Sequence, residues 1–181
     1  MSTPNAPDCQ GPDPHPHAAR FKPPPGACDS HAHVIGPPER YPFVATRSFT
    51  PPPAPEAAYL AMHDALGIER GVLVQVSVHG TDNSLMLRTL EAHRGRLRGI
   101  AVIRPDPSDA ELRRLKASGV VGLRLNATTG GGVGVADLES YDALCAELGW
   151  HLQFLVEPHQ LMPLAGKIAK LRVPAVFDHM G

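Results

Sequence analysis

From residue 27 onward, short apolar runs alternate with longer stretches of helical period, a rhythm that predicts parallel strands joined by crossover helices. The predicted strands are ACDSHAHV (27–34), GVLVQVS (71–77), GIAVIRP (99–105), VVGLRLN (120–126), HLQFLVE (151–157) and PAVFDHM (174–180). Between them Tyr59, Met62 and Leu66 mark one face of a helix, and Asn83 is placed to cap a second that carries Met86 and Leu90. Ser108 with Glu111 reads as a capping box for a third helix, with Leu112 and Leu115 on its apolar side. Leu138, Tyr141, Leu144 and Leu148 form the stripe of a fourth. A fifth, between His159 and Leu171, is weakened by Pro163 and Gly166.

Two stretches break the rhythm. Residues 1–26, with Pro23-Pro24-Pro25-Gly26 at their end, hold too little apolar surface to order themselves and read as a flexible Pro-rich tail. His15 and His17 lie in it between prolines, with no apolar neighbours to hold them as a metal site. Residues 36–55 are proline-dense and carry Tyr41, Phe43 and Phe49 without a helical period. They predict a long ordered loop after the first strand, on the face where a barrel builds its sites.

The fold class expected for residues 27–181 is therefore α/β: the N-terminal part of a (β/α)8 TIM-type barrel, incomplete, with about six strands present. A closed barrel takes about 250 residues, and the last predicted strand has no helix after it. An open doubly wound parallel sheet needs no further strands and is the alternative.

Composition narrows the partners. The chain has 181 residues, 43% of them hydrophobic and 19% charged, with a formal net charge of -1. No basic surplus is left for phosphates, so a small molecule is the expected partner, not nucleic acid or an anionic membrane. Cys9, Cys28 and Cys145 are widely spaced with no CxxC, which fits a reducing, cytoplasmic setting. The first residues carry no signal-like apolar stretch, and no run approaches the roughly 18 apolar residues of a membrane span. Open sheet edges would also permit a homo-oligomer.

Candidate chemistry gathers at the predicted strand ends. His31 and His33 are two residues apart on one strand, so both imidazoles point to one side, able to chelate a divalent ion or polarise a substrate oxygen. Hydrogen-bonded structural histidines are the competing reading. A second polar strand end, Asp178-His179, opens onto the same face in a parallel barrel and brings His179 toward the pair. The run from Gln75 to Asn83 includes Ser77 and His79 and could bind a carboxylate at a helix N-terminus, although capping alone would explain Thr81, Asp82 and Asn83. Arg124 lies inside VVGLRLN, where a guanidinium needs an anionic partner: either a carboxylate of this chain or a substrate carboxylate, with Asn126 on the same side. The glycines 130–132 and 134 lack the spacing of a phosphate loop and predict a mobile segment. His63 and His93 read as surface or half-buried helix residues, Cys145 as a core residue, and Glu157 as either a site group or a cap.

The segments CDSHAHVIGP with YPF shortly after, LVQVSVHGTDN, RGIAVIRP, GLRLN and VFDHMG, in this order and spacing, resemble the amidohydrolase superfamily. Within it they are most similar to the amidohydrolase-related TIM-barrel hydrolases, the group that includes 2-pyrone-4,6-dicarboxylate lactonase. The resemblance implies hydrolysis of a carboxylate-bearing lactone or related cyclic ester. His31, His33 and His179 would surround the scissile carbonyl, with Ser77, His79, Arg124 and Asn126 as substrate contacts. If a metal is bound, zinc or manganese as in many relatives, the same three histidines would be its ligands; the lactonase resembles a member that works without one. The family's general-base or ligand aspartate ends an eighth strand that this sequence does not reach, so little hydrolase activity is expected of the 181 residues alone. A metal-dependent decarboxylase on the same scaffold and an inactive remnant or binding module are the alternatives. Phe49, Leu155 and the ATTGGG after Asn126 stand where the lactonase pattern has polar substrate contacts, which points to a related but different substrate.

Overall fold

A computed structural model describes residues 6–179. The start of the predicted tail and the final residues of the predicted sixth strand lie outside the described residues. The elements are β1 (Cys28–Ala32), α1 (Glu56–Leu66), β2 (Arg70–Val74), α2 (Ser84–Ala92), β3 (Leu97–Ala101), α3 (Asp109–Ser118), β4 (Val120–Asn126), α4 (Leu138–Leu148), β5 (His151–Leu155), α5 (Pro158–Ile168) and β6 (Ala175–Phe177). All neighbouring strands are parallel, and their spatial order is their order in sequence, β1 to β6.

That order overturns the doubly wound alternative, which requires the strand order to reverse at a switch point. The sheet also curls. β1 and β5 are four strands apart, about 19 Å in a flat sheet, yet Gln153 on β5 reaches the ring of His31 on β1 at 3.1 Å. His31, Val72, Ile100, Val121, Gln153 and Val176, one from each strand or its neighbourhood, line a single cavity of about 400 Å³. The fold is an incomplete TIM-type arc of six strands joined by five helices.

The apolar core lies between the sheet and its helices, where Leu73, Leu97, Leu123 and Leu152 from the strands meet Leu90, Leu115, Tyr141 and Cys145 from the helices. The predicted helices all form, and Ser108 accepts the Glu111 N–H at 3.2 Å as the box requires. Asn83 precedes α2, but its side chain does not cap. It bonds the Val102 N–H and carbonyl at 3.2 and 2.8 Å and so ties the start of α2 to the end of β3. Glu157 takes the cap position of α5, where Gln160 accepts its N–H at 2.8 Å.

Apart from β4, which has the predicted bounds, the strands are shorter than predicted at their C-terminal ends. Ser77 and His79 belong to a short 3-10 helix, Ser77–His79, rather than to β2. The long loop after β1 is ordered as expected: Ile35 and Ala54 close its base through paired backbone bonds of 2.9 and 2.8 Å, and Tyr41 is buried in it. Pro7 and Cys9 of the N-terminal segment bond the backbone of Thr50 in that loop. No helix among the described residues is long and apolar enough to cross a membrane.

Candidate active site

His31 ends β1 pointing into the cavity, and His33 follows it on the same side, ring centroids 5.1 Å apart. His179, just beyond β6, brings its ring to 5.6 Å from His31. The three histidines are thus grouped at the C-terminal mouth of the arc. His179 adopts a left-handed backbone, φ 63°, uncommon for a residue with a side chain.

Beneath them Asp178 organises a network. Its Oδ2 accepts Arg124 Nε at 3.0 Å and Nη2 at 2.6 Å, and its Oδ1 accepts Gln153 Nε2. His31 Nδ1 lies 3.1 Å from Gln153 Nε2 and 3.5 Å from Asp178 Oδ1. Burial alone would raise the Asp178 carboxyl, but contacts with His31 and Gln153 and the Arg124 charge outweigh it and hold the pKa at about 2. Asp178 is therefore ionised throughout the neutral range.

These contacts constrain the ring nitrogens. His31 Nδ1 faces both the Gln153 amide and the Asp178 carboxylate, able to accept from the one or donate to the other. His33 differs: its Nδ1 donates to the Val74 carbonyl at 2.7 Å, and burial lowers its pKa to about 4 despite that bond. Neutral His33 leaves an unprotonated Nε2. The pair therefore sets two imidazoles side by side, of which His33 is an acceptor at Nε2.

The partner of Arg124 is Asp178 of this chain. Its Nη1, 3.5 Å from the Gln75 carbonyl, is its least committed donor. Ser77 and His79 lie in the short 3-10 helix after β2, and Asn126 is the last residue of β4. The His79 ring bonds the Pro42 carbonyl and packs against Phe43, centroids 5.4 Å apart, and burial lowers its pKa; its Nε2 is buried without a partner. Asn126 turns the loop after β4, its Oδ1 accepting from Thr128 and Thr129 N–H at 3.0 Å each. The glycine run, predicted to be mobile, is packed: Gly130 N–H donates to Ser48 Oγ at 2.7 Å, and the backbone of Gly131 (φ 86°) passes so close to the Ser77 carbonyl that a Cβ would collide with it. Three loops thus interlock over the mouth.

Sequence reasoning passed over Asp178 and Gln153 as site residues and read His63 as a surface or half-buried helix residue. His63 is fully buried on α1 and bonded to Asp29. The available signal was an amide or carboxylate inside an apolar strand, as in HLQFLVE and PAVFDHM, a pattern that needs a buried partner.

The residues present do not form a metal cage. Among the described residues no group of three or more His, Cys, Asp or Glu side chains is arranged to hold an ion, and the one carboxylate beside the histidines is engaged by a guanidinium. No chemical step is derived through a metal.

The amidohydrolase family profile matches residues 28–181. The chain is 37% identical over 179 residues to a 4-sulfomuconolactone hydrolase of Hydrogenophaga intermedia, aligning 97% of itself with 59% of that protein. It is also 37% identical to a 2-pyrone-4,6-dicarboxylate hydrolase of Comamonas testosteroni, with 92% of this chain and 55% of the relative aligned. The crystal structure of a probable 2-pyrone-4,6-dicarboxylic acid hydrolase from Acinetobacter baumannii, solved with citric acid bound, superposes with a TM-score of 0.75 at 29% identity, covering 86% of this chain and 59% of that one. The chain spans less than two thirds of the length of these relatives. With its strand order, its histidine-lined mouth and a profile match from β1 to its last residue, the chain belongs to the amidohydrolase family.

Proposed function

We propose that this chain carries six strands of the barrel of a hydrolase that opens a small anionic lactone in the cytoplasm. The observation that carries the reading is the cluster of His31, His33 and His179, in which His33 keeps a free acceptor at Nε2. Hydrolysis of a cyclic ester needs a donor where negative charge develops on the carbonyl oxygen and an acceptor that orients water. His33 Nε2 supplies the second, and His31, in the tautomer that carries its proton on Nε2, supplies the first. With its lowered basicity His33 holds water by accepting its hydrogen bond, while proton removal falls to a stronger base. His179 closes the site beside the carbonyl. Ser77, His79, Asn126 and Arg124 Nη1 face the anionic group, in keeping with the sulfonate and carboxylate substrates in the relatives' names. Nothing in the donor set favours a metal-dependent decarboxylase.

The test is ring opening of 4-sulfomuconolactone and 2-pyrone-4,6-dicarboxylate, followed by the proton released as each ester becomes a carboxylate. The chain is assayed alone and joined to the C-terminal portion of the Hydrogenophaga intermedia relative. Turnover by the joined protein that is lost in His31→Ala and His33→Ala is expected, with little from the chain alone. A folded joined protein that binds both lactones without opening either would overturn the reading in favour of a binding module.

A further inference from the structure

The β1–β2 ladder is interrupted where the site begins. Asp29 pairs with Gly71 and Ala32 with Leu73, so Ser30 and His31 together oppose a single residue, Val72. Such a bulge re-aims a side chain and leaves a backbone group without a ladder partner. Here the His31 N–H is taken by a side chain, donating to Asp29 Oδ1 at 3.2 Å.

The other carboxylate oxygen is held from outside the sheet. Asp29 Oδ2 lies 3.1 Å from His63 Nε2, and because a carboxylate only accepts, Nε2 carries the proton. Tyr59, one turn before His63 on α1, packs its ring at 4.1 Å. Gly71 makes the space for both: a Cβ there would collide with Tyr59 Oη and come within 2.8 Å of His63 Cε1. A histidine with no exposed surface is thus spent on gripping one carboxylate, whose second oxygen grips the bulge.

We infer that Asp29 and His63 are positioning residues for His31: His63 holds Asp29, and Asp29 holds the bulge that turns His31 into the cavity. The inference rests on reading His31 as a site group, but its test needs no substrate, so its failure and that of the hydrolase reading are separable.

The test is amide hydrogen exchange at His31, taken as a ratio to Leu97 on β3 to remove global destabilisation. Asp29→Ala and His63→Phe should raise the ratio roughly tenfold, the equivalent of one charge-assisted hydrogen bond. Asp29→Asn, which keeps an oxygen for the His31 N–H, and His63→Gln, which keeps an N–H for Asp29, should leave it near the parent value. Leu115→Ala on α3, which destabilises without touching β1, should leave it unchanged. The His31 ring nitrogen signals should shift in the first two variants only. If Asp29→Ala does not fold, the contrast between His63→Phe and His63→Gln carries the same readout. A ratio that stays at the parent value in the folded loss variants, or one that rises equally in Leu115→Ala, overturns the inference.

Discussion

Two aspartate–histidine pairs flank β1, and they are built differently. On the cavity side His31 faces Asp178 at 3.5 Å, with Arg124 and Gln153 on the same carboxylate. On the helix side Asp29 faces His63 at 3.1 Å with no cation among its bonded partners. The first pair contains a guanidinium with 5% of its side chain exposed, whose charge must be matched where it lies. The second contains a histidine that can be neutral, so its carboxylate is needed for direction rather than for charge. Chemically similar pairs therefore differ in what their loss would do: one is an electrostatic obligation of the core, the other a geometric one.

The sharpest way to break the comparison is to remove each carboxylate. Asp178→Leu strands a buried guanidinium and should cost about 3–5 kcal/mol in urea denaturation. Adding Arg124→Met should recover most of that, because removing both charges is far less costly than removing one. Asp29→Leu should cost about 1–2 kcal/mol, the loss of hydrogen bonds without a stranded charge. Equal costs for the two leucine variants would erase the distinction.

Gly71→Ala attacks the helix-side pair by volume alone. Overpacking against Tyr59 and His63 should cost about 1–3 kcal/mol and loosen His31 without touching the cavity. Unchanged thermal stability in this variant would show that the packing around His63 is slack.

Acid titration sharpens the cavity side further. His33 has a native pKa of about 4 against an ordinary 6.5, so between these values the unfolded chain binds a proton that the native state refuses, and stability falls as pH drops from 6.5 to 4. Asp178 has a native pKa of about 2 against 3.8; its contribution is complete above 3.8 and is lost as pH falls from 3.8 to 2. In both windows the unfolded state holds more protons, so the two losses follow one another. His33→Gln should shrink the upper stage, to which His79 and His151 also contribute, and Asp178→Asn the lower, as read by denaturant midpoints across pH. The smallest effect belongs to a site remote from both pairs: Ser108→Ala should cost about 1 kcal/mol through loss of the α3 cap and leave the His31 exchange ratio unchanged.

Much of the fold was legible because it is local. Apolar runs such as GVLVQVS and stripes such as Leu138, Tyr141, Leu144 and Leu148 respond to burial at the period of their own element, and six strands with five helices followed from them. The grouping of His31 with His33 was legible for the same reason, since two residues of spacing leave their rings 5.1 Å apart. The readings that failed depend on partners distant in sequence. Asn83 was assigned to its own helix and is used by Val102; His63 was read as surface or half-buried and is fully buried and gripped by Asp29; the glycines after β4 were assigned mobility and are pinned by Ser48 and the carbonyl side of Ser77.

The sequence by itself determined the α/β rhythm, the family, and the histidines at the strand ends, because periodicity and short motifs are written in neighbouring residues. Only the tertiary structure decided that the sheet curls in sequential order, that Arg124 belongs to Asp178, and that His33 offers a lone pair. The physical reason is that a buried polar group takes its role from the partner that satisfies it, and curling the sheet brings partners together across 25 to more than 100 residues of chain, as in Gln153 with Asp178 and with His31.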